Sequence, residues 1–278
     1  MRLLLRATWQ PRPDRPALVI VHGLQGSDGS GYAVATGLHA WSRGWHVVRM
    51  NLRGSGDAER LCPRLYNAGL DGDLLAVLAQ VAERVPRLAV VGFSLGGNLT
   101  LLCLARRAPR LPAGLVGAVA VSPPLDLAAC ADALARPGNW VYERHFMREL
   151  RGSYRRRQRL RPDLYEVGRE LAPRTIREYD GAITARYGGY AGADDYYARS
   201  SAGPRLRELR HPALILAAAD DPMIPRATVE RWPVAPGVSR ELVGAGGHVG
   251  FVARSRAPGS FWAAERALDY LTGLLNGE

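Results

Sequence analysis

The sequence predicts an α/β protein in which a mostly parallel sheet is covered by helices on both faces. One domain spans residues 1–278, with a helical, cap-like insertion at about 126–210. Three observations lead there. Short unbroken apolar runs alternate with stretches of helical periodicity, as expected of strands buried on both faces and joined by crossover helices. The runs end in turn-forming residues, among them His22-Gly23, Ser122-Pro123-Pro124 and Asp220-Asp221-Pro222. Between the run ending at Val121 and the run beginning at Ala213 the alternation stops, and the chain becomes helical, aromatic and arginine-rich.

The elements follow in order. Ala17 to Val21 is a short apolar strand, and Tyr32 to Arg43 carries apolar residues at helical spacing. Trp45 to Met50 reads as a strand, and Gly72 to Arg84 as a helix with Leu74, Leu75, Val77, Leu78 and Val81 on one face. Leu88 to Val91 is a strand that leads through Gly92-Phe93-Ser94-Leu95-Gly96-Gly97 into a helix, Leu95 to Arg107. Leu115 to Val121, Ala213 to Ala219 and Arg240 to Val243 read as later strands, and Phe261 to Leu275 as the closing helix. In such sheets the ligand site lies outside the carboxyl ends of the strands. Ser94, Asp221 and His248 all follow strand ends, so they can converge on one edge of the sheet.

Composition narrows the function classes. At 278 residues, 47% hydrophobic and 23% charged, the chain can bury a full core. No window approaches the ~18 uninterrupted apolar residues of a membrane span. Met1-Arg2-Leu3-Leu4-Leu5-Arg6 is too short an apolar stretch for a secretory signal and lacks a small-residue cleavage site. Cys62, Cys103 and Cys130 are odd in number and far apart, which suggests neither a disulfide framework nor a zinc site. A cytoplasmic location is the resulting expectation. The net charge is +11, and every basic side chain among the 37 is arginine. The densest cluster is Arg148, Arg151, Arg155, Arg156, Arg157, Arg159 and Arg161. Its plain reading is a solvated face, and its sharper reading an attraction to anionic lipid surfaces or substrates. Nucleic acid is not expected as a partner, because no zinc finger, helix-turn-helix or aromatic RNA platform accompanies the charge. No stable protein partner is implied.

Ser94 is the candidate nucleophile. A serine on a sharp strand-to-helix turn adopts a strained backbone with its hydroxyl exposed, and small residues two places to either side let strand and helix approach. Gly92 and Gly96 occupy those places. Serine needs a base to take its proton, and the base needs an acid to hold its tautomer. Of the histidines after Ser94, His145 lies in the insertion and His211 at the start of a strand, the wrong end of the sheet. His248 follows a Gly-rich turn after the last strand and is the candidate base. The acid should follow the strand Ala213 to Ala219, where Asp220 and Asp221 compete. Spacing to Pro225 favours Asp221, with Asp220 as the alternative that could instead bond loop amides, and Asp126 as a third candidate. Two backbone amides should meet the developing oxyanion: that of Leu95, after the nucleophile, and that of Leu24, in the loop His22-Gly23-Leu24-Gln25-Gly26-Ser27. No metal or organic cofactor is expected.

Taken together these pieces resemble the YheT-like branch of the α/β hydrolases, which includes bacterial esterase-like proteins and eukaryotic lipid-active hydrolases. The resemblance rests on the loop from His22, on Asn51-Leu52-Arg53-Gly54-Ser55-Gly56, on Arg64-Leu65-Tyr66-Asn67-Ala68-Gly69 with Asp73 downstream, and on the Ser94 turn through Asn98. It continues in Ser122-Pro123-Pro124-Leu125-Asp126-Leu127, Asp220-Asp221-Pro222 and Gly246-Gly247-His248-Val249-Gly250-Phe251, and so covers nearly the whole chain in order. Ser55 stands where that family often has cysteine, Asn67 where it has histidine and Gln25 where it has glutamate, changes that bear on the pocket and not on the three catalytic positions. The resemblance implies hydrolysis of carboxylic esters, with short-chain esters or acylglycerol-type lipids as substrates. The same triad also serves thioesterases, amidases and acyltransferases, and a non-catalytic ligand-binding protein on this fold is the alternative from another class. A nucleotide-binding protein is disfavoured, because the glycines lack G-x-G-x-x-G spacing and no P-loop lysine is present.

Overall fold

Seven strands form one sheet in the order β1-β3-β2-β4-β5-β6-β7 in a computed structural model that describes residues 2–251 and 261–277. In chain order the elements are β1 (Leu5–Thr8), β2 (Ala17–Val21), α1 (Gly31–Ser42), β3 (His46–Met50), α2 (Asp71–Ala82), β4 (Leu88–Phe93), α3 (Leu95–Arg106) and β5 (Leu115–Val121). Then come α4 (Leu127–Leu134), α5 (Trp140–Leu160), α6 (Ile176–Tyr179), a π-helical turn (Asp180–Ala185), α7 (Arg186–Gly188) and α8 (Ala193–Ser200). The chain closes with β6 (Ala213–Ala218), α9 (Arg226–Glu230), β7 (Val238–Val243) and α10 (Trp262–Asn276).

The parallel ladders explain the unbroken apolar runs. Along β2, Ala17, Val19 and Val21 enter one core while Leu18 and Ile20 enter the other. In β4, Leu88 and Val90 face the first core, and Ala89, Val91 and Phe93 the second. A strand with helices on both faces has no polar side, so alternation disappears from its sequence. The second core is closed by α1 and α10 through Ala33, Ala40, Ala267, Leu268 and Leu271. The first is closed by α2 and α3, and by the insertion through residues such as Leu127, Leu150, Tyr154 and Tyr196.

One strand escapes the sequence reading. β1 pairs antiparallel with β3, from Leu5 opposite Met50 to Thr8 opposite Val47. It is an edge strand of four residues, three of them exposed, so backbone pairing and not an apolar pattern defines it. Among the described residues no helix is long and apolar enough to cross a membrane.

Of the arginine cluster, Arg148, Arg155, Arg156 and Arg159 are exposed, as a solvated face requires, and Arg157 departs from that reading. Arg157 is fully buried. Its guanidinium donates to the carbonyl of Gly54, to Ser153 Oγ, to Ser153 O at 3.2 Å and to Glu59 Oε1 at 3.4 Å, tying α5 to the loop after β3. Arg155 pairs with Glu170 at 2.9 Å, Arg156 with Glu59 at 2.9 Å and Arg161 with Asp163 at 2.6 Å. Arg151 donates to the carbonyls of Glu170 and Pro173 at 3.2 and 2.6 Å. The forked guanidinium can satisfy several oxygens at once, so the same residue type that reads as surface charge can hold loops together inside.

Candidate active site

Strand β4 delivers Ser94 at its carboxyl end, and α3 begins at the next residue. Ser94 sits at φ 49° and ψ −120°, a region that residues with side chains rarely occupy. The turn is possible because strand, helix and neighbouring loop nearly touch. A Cβ on Gly92 would lie 2.4 Å from Gly96 O, and one on Gly96 would lie 2.4 Å from both Val21 O and His22 O. Ser94 N donates to Val121 O at 2.8 Å, which anchors the turn to β5.

Three residues expected from the sequence come together at the carboxyl edge of the sheet. His248 Nε2 lies 2.9 Å from Ser94 Oγ, and His248 Nδ1 lies 2.9 Å from Asp221 Oδ2. A neutral imidazole with its proton on Nδ1 satisfies both contacts, donating to the carboxylate and accepting from the serine. The second oxygen of Asp221 accepts from the amides of Met223 at 2.9 Å and Ile224 at 3.1 Å, so its orientation is set by its own loop.

The other candidates lie elsewhere. Asp220 Oδ1 accepts from Gly246 N at 2.8 Å and Gly247 N at 2.9 Å, and these bonds hold its carboxyl below the usual range. It therefore braces the turn that precedes His248 and makes no contact with the imidazole among the described residues. Asp126 caps α4, accepting from Ala129 N at 3.0 Å, and pairs with Arg231. His145 is exposed on α5, and His211 stands at the amino end of β6.

The loop after β2 frames the other side of Ser94. Gly23 N donates to Tyr32 Oη at 2.9 Å and Gln25 N to Tyr66 Oη at 2.6 Å. Between them, the Leu24 amide makes no hydrogen bond among the described residues. Leu95 N heads α3, and the carbonyl four residues back, that of Val91, belongs to β4, so the amide has no intrahelical acceptor. His22 is buried, its Nδ1–H donating to Gly23 O at 2.7 Å and its Nε2 accepting from Leu52 N at 3.1 Å. Burial pushes this imidazole down to about 4, keeping it neutral and the bond to Gly23 intact. Gly23 O and Leu24 N belong to one planar peptide, so fixing the carbonyl also fixes the amide. The roles of His22, Tyr32 and Tyr66 were not legible in the sequence, since nothing local pairs Tyr66 with Gln25.

Ser94 and His248 open into a cavity of about 100 Å³. Its lining includes the apolar Leu24, Leu127, Leu134, Ile176 and Ile224 and the polar Asn67, Asp180, Thr184 and Tyr197. Most of this lining comes from the insertion. Among the described residues no group of three or more His, Cys, Asp or Glu is placed to hold a metal ion.

A mostly parallel sheet carrying a strained serine, a histidine and an aspartate at its carboxyl edge defines an α/β enzyme fold of the hydrolase type. The family described as the alpha/beta hydrolase fold matches residues 16–254. YheT of Escherichia coli (strain K12), which carries a provisional esterase name, is 35% identical over 97% of this chain and 82% of its own. The chain belongs to the α/β hydrolase family, in the branch that contains YheT. Mouse phospholipase ABHD3 is 30% identical over 86% of this chain, which spans only 59% of that relative's length. Among solved structures, Est1E of Butyrivibrio proteoclasticus with ferulic acid bound superposes with a TM-score of 0.61 at 13% identity, covering 99% of this chain and 96% of that one.

Proposed function

We propose that the protein is a serine hydrolase that cleaves carboxylic esters, short-chain or of the acylglycerol type, through an acyl-enzyme. The observation that carries the reading is the continuous line of contacts from Asp221 through His248 to Ser94, each 2.9 Å long. The esterase and phospholipase names of the relatives support the substrate class.

In this mechanism Ser94 Oγ attacks the ester carbonyl while His248 Nε2 takes its proton. Asp221 stabilises the imidazolium and holds its orientation. The carbonyl oxygen becomes an alkoxide that accepts from the Leu24 and Leu95 amides, each such donor contributing about 3–4 kcal/mol in the transition state. The tetrahedral intermediate collapses, the alcohol leaves with the proton from His248, and the acyl group stays on Ser94. Water then gives a proton to His248, attacks the acyl-enzyme, and releases the acid as Ser94 recovers its proton. The helical segment 126–210 acts as the cap, because it supplies the apolar wall against which an acyl chain would pack.

The test is labelling with a fluorophosphonate probe, mapped by mass spectrometry. Labelling at Ser94 that His248→Ala suppresses is the expected result, followed by turnover in a chain-length series of esters. Folded protein that takes no label, or a Ser94→Ala variant that keeps wild-type turnover, would defeat the reading.

A further inference from the structure

The cavity beside Ser94 contains one carboxyl that the proposed proton path does not use. Asp180 starts the π-helical turn Asp180–Ala185, a geometry that recurs at functional sites because the wider turn redirects side chains. Its Oδ1 accepts from Thr184 Oγ1 at 2.6 Å and its Oδ2 from Tyr197 Oη at 2.8 Å. A carboxylate offers about four acceptor positions, so each oxygen retains one.

Among the described residues no counter-ion occupies them. Arg177 is the cation whose charge reaches Asp180, and its guanidinium is engaged by Asp132 at 2.8 Å and Asp194 at 2.5 Å. The remaining titratable neighbours are tyrosines, Tyr179, Tyr196 and Tyr197, whose hydroxyls burial keeps protonated. Burial in turn pushes the Asp180 carboxyl up to about 6. A tie between Thr184 and Tyr197 needs only a neutral acceptor. An unpaired carboxyl in a largely apolar wall is costly, and that cost is offset when a ligand donor meets it.

The surroundings specify the donor. Asn67 lines the same cavity, and its Oδ1 is taken by Gly69 N at 2.9 Å and Tyr190 Oη at 3.2 Å, which leaves the amide nitrogen to donate. Tyr196 Oη accepts from Ala68 N at 3.0 Å, which leaves its O–H to donate. One acceptor and two donors lining the same cavity match a group that both donates and accepts. A hydroxyl does so, an ammonium cannot accept, and a carboxylate would be repelled by Asp180.

We propose that Asp180, Asn67 and Tyr196 form a polar subsite that selects ester substrates bearing a hydroxyl group on the portion lodged in this cavity. The proposal deepens the ester-hydrolase reading and rests on it. The hydroxyl can belong to the acyl chain or to the alcohol, and the experiment separates the two.

Two arms are measured. The first compares p-nitrophenyl esters of medium-chain hydroxy acids, with the hydroxyl at successive carbons, against plain chains of equal length. The second compares glyceryl esters with alkyl esters of one fatty acid. The readout is the ratio of kcat/KM for the hydroxylated and plain members of each pair, which cancels any general loss of activity. Wild type should prefer the hydroxylated member about tenfold or more in one arm, and Asp180→Asn should bring that ratio to within about twofold. Tyr196→Phe, which removes a donor and keeps the ring, should lower the same ratio and serves if Asp180→Asn does not fold. No preference in either arm of an enzyme that takes fluorophosphonate at Ser94 and cleaves plain esters overturns the subsite and leaves the serine mechanism standing. A preference that survives in the folded variants makes Asp180 a purely structural tie. Absence of label and of turnover defeats the ester-hydrolase reading, and the subsite with it.

Discussion

Asp220 and Asp221 are neighbours in the chain that hold two parts of one loop. Asp221 Oδ2 lies 2.9 Å from His248 Nδ1, while Asp220 Oδ1 accepts from Gly246 N and Gly247 N. The pair thus fixes both the imidazole and the turn that carries it. Adjacent positions after a strand have side chains that diverge, which is why two carboxylates in sequence can serve two different groups.

The two aspartates should fail differently. Asp221→Asn presents the wrong tautomer partner to His248 and should lower kcat by about four orders of magnitude with little change in KM. Asp220→Ala removes the acceptor of two amides but leaves the line of contacts, so a displaced imidazole should lower kcat only about 10–100-fold. Steady-state kinetics on one ester decides, and equal losses in the two variants would contradict the assignment.

The Ser94 turn depends on close backbone approach. Gly96→Ala would place a Cβ 2.4 Å from the carbonyls of Val21 and His22, with no flexible side chain to yield. We expect a loss of at least about 1–3 kcal/mol in folding stability and loss of fluorophosphonate labelling. A variant with wild-type melting and labelling would show that the turn can open.

Arg157 should behave as part of the core. Arg157→Met leaves the Gly54 carbonyl without its donor and should destabilise by about 3 kcal/mol or more in urea unfolding. Exposed Arg159→Ala should stay within about 0.5 kcal/mol. Similar small effects at both positions would show that Arg157 does not act as a core residue.

Two desolvated groups give opposite acid responses. His22 titrates near 4 in the fold against 6.5 when free, so between those values the unfolded chain binds the extra proton and stability falls as pH drops, by about 3 kcal/mol in all. Asp180 titrates near 6 against 3.8, so the fold binds the extra proton and stability rises as pH drops through that window. Asp180→Asn removes the second slope and should steepen the acid loss from pH 6 to 4. Urea midpoints measured across that range check it, and parallel curves for the two proteins would refute the opposition.

Local pattern determined much of this protein. β2, β4, β5 and β6 were legible because both their faces are buried, which leaves unbroken apolar runs; Ser94 and Asp221 stand out because each follows such a run, and His248 because it follows a Gly-rich turn after the last strand. The edge strand β1, with one neighbour and three exposed residues, left no such trace. Neither did the bond from Gln25 to Tyr66, the clamp of Arg157 on Gly54, or the placement of Asp180 in the cavity wall. A residue's type and spacing report how much water it meets, which is a local property. Which donor meets which acceptor across 41 or 103 residues is decided only when the elements pack and every buried polar group must find a partner.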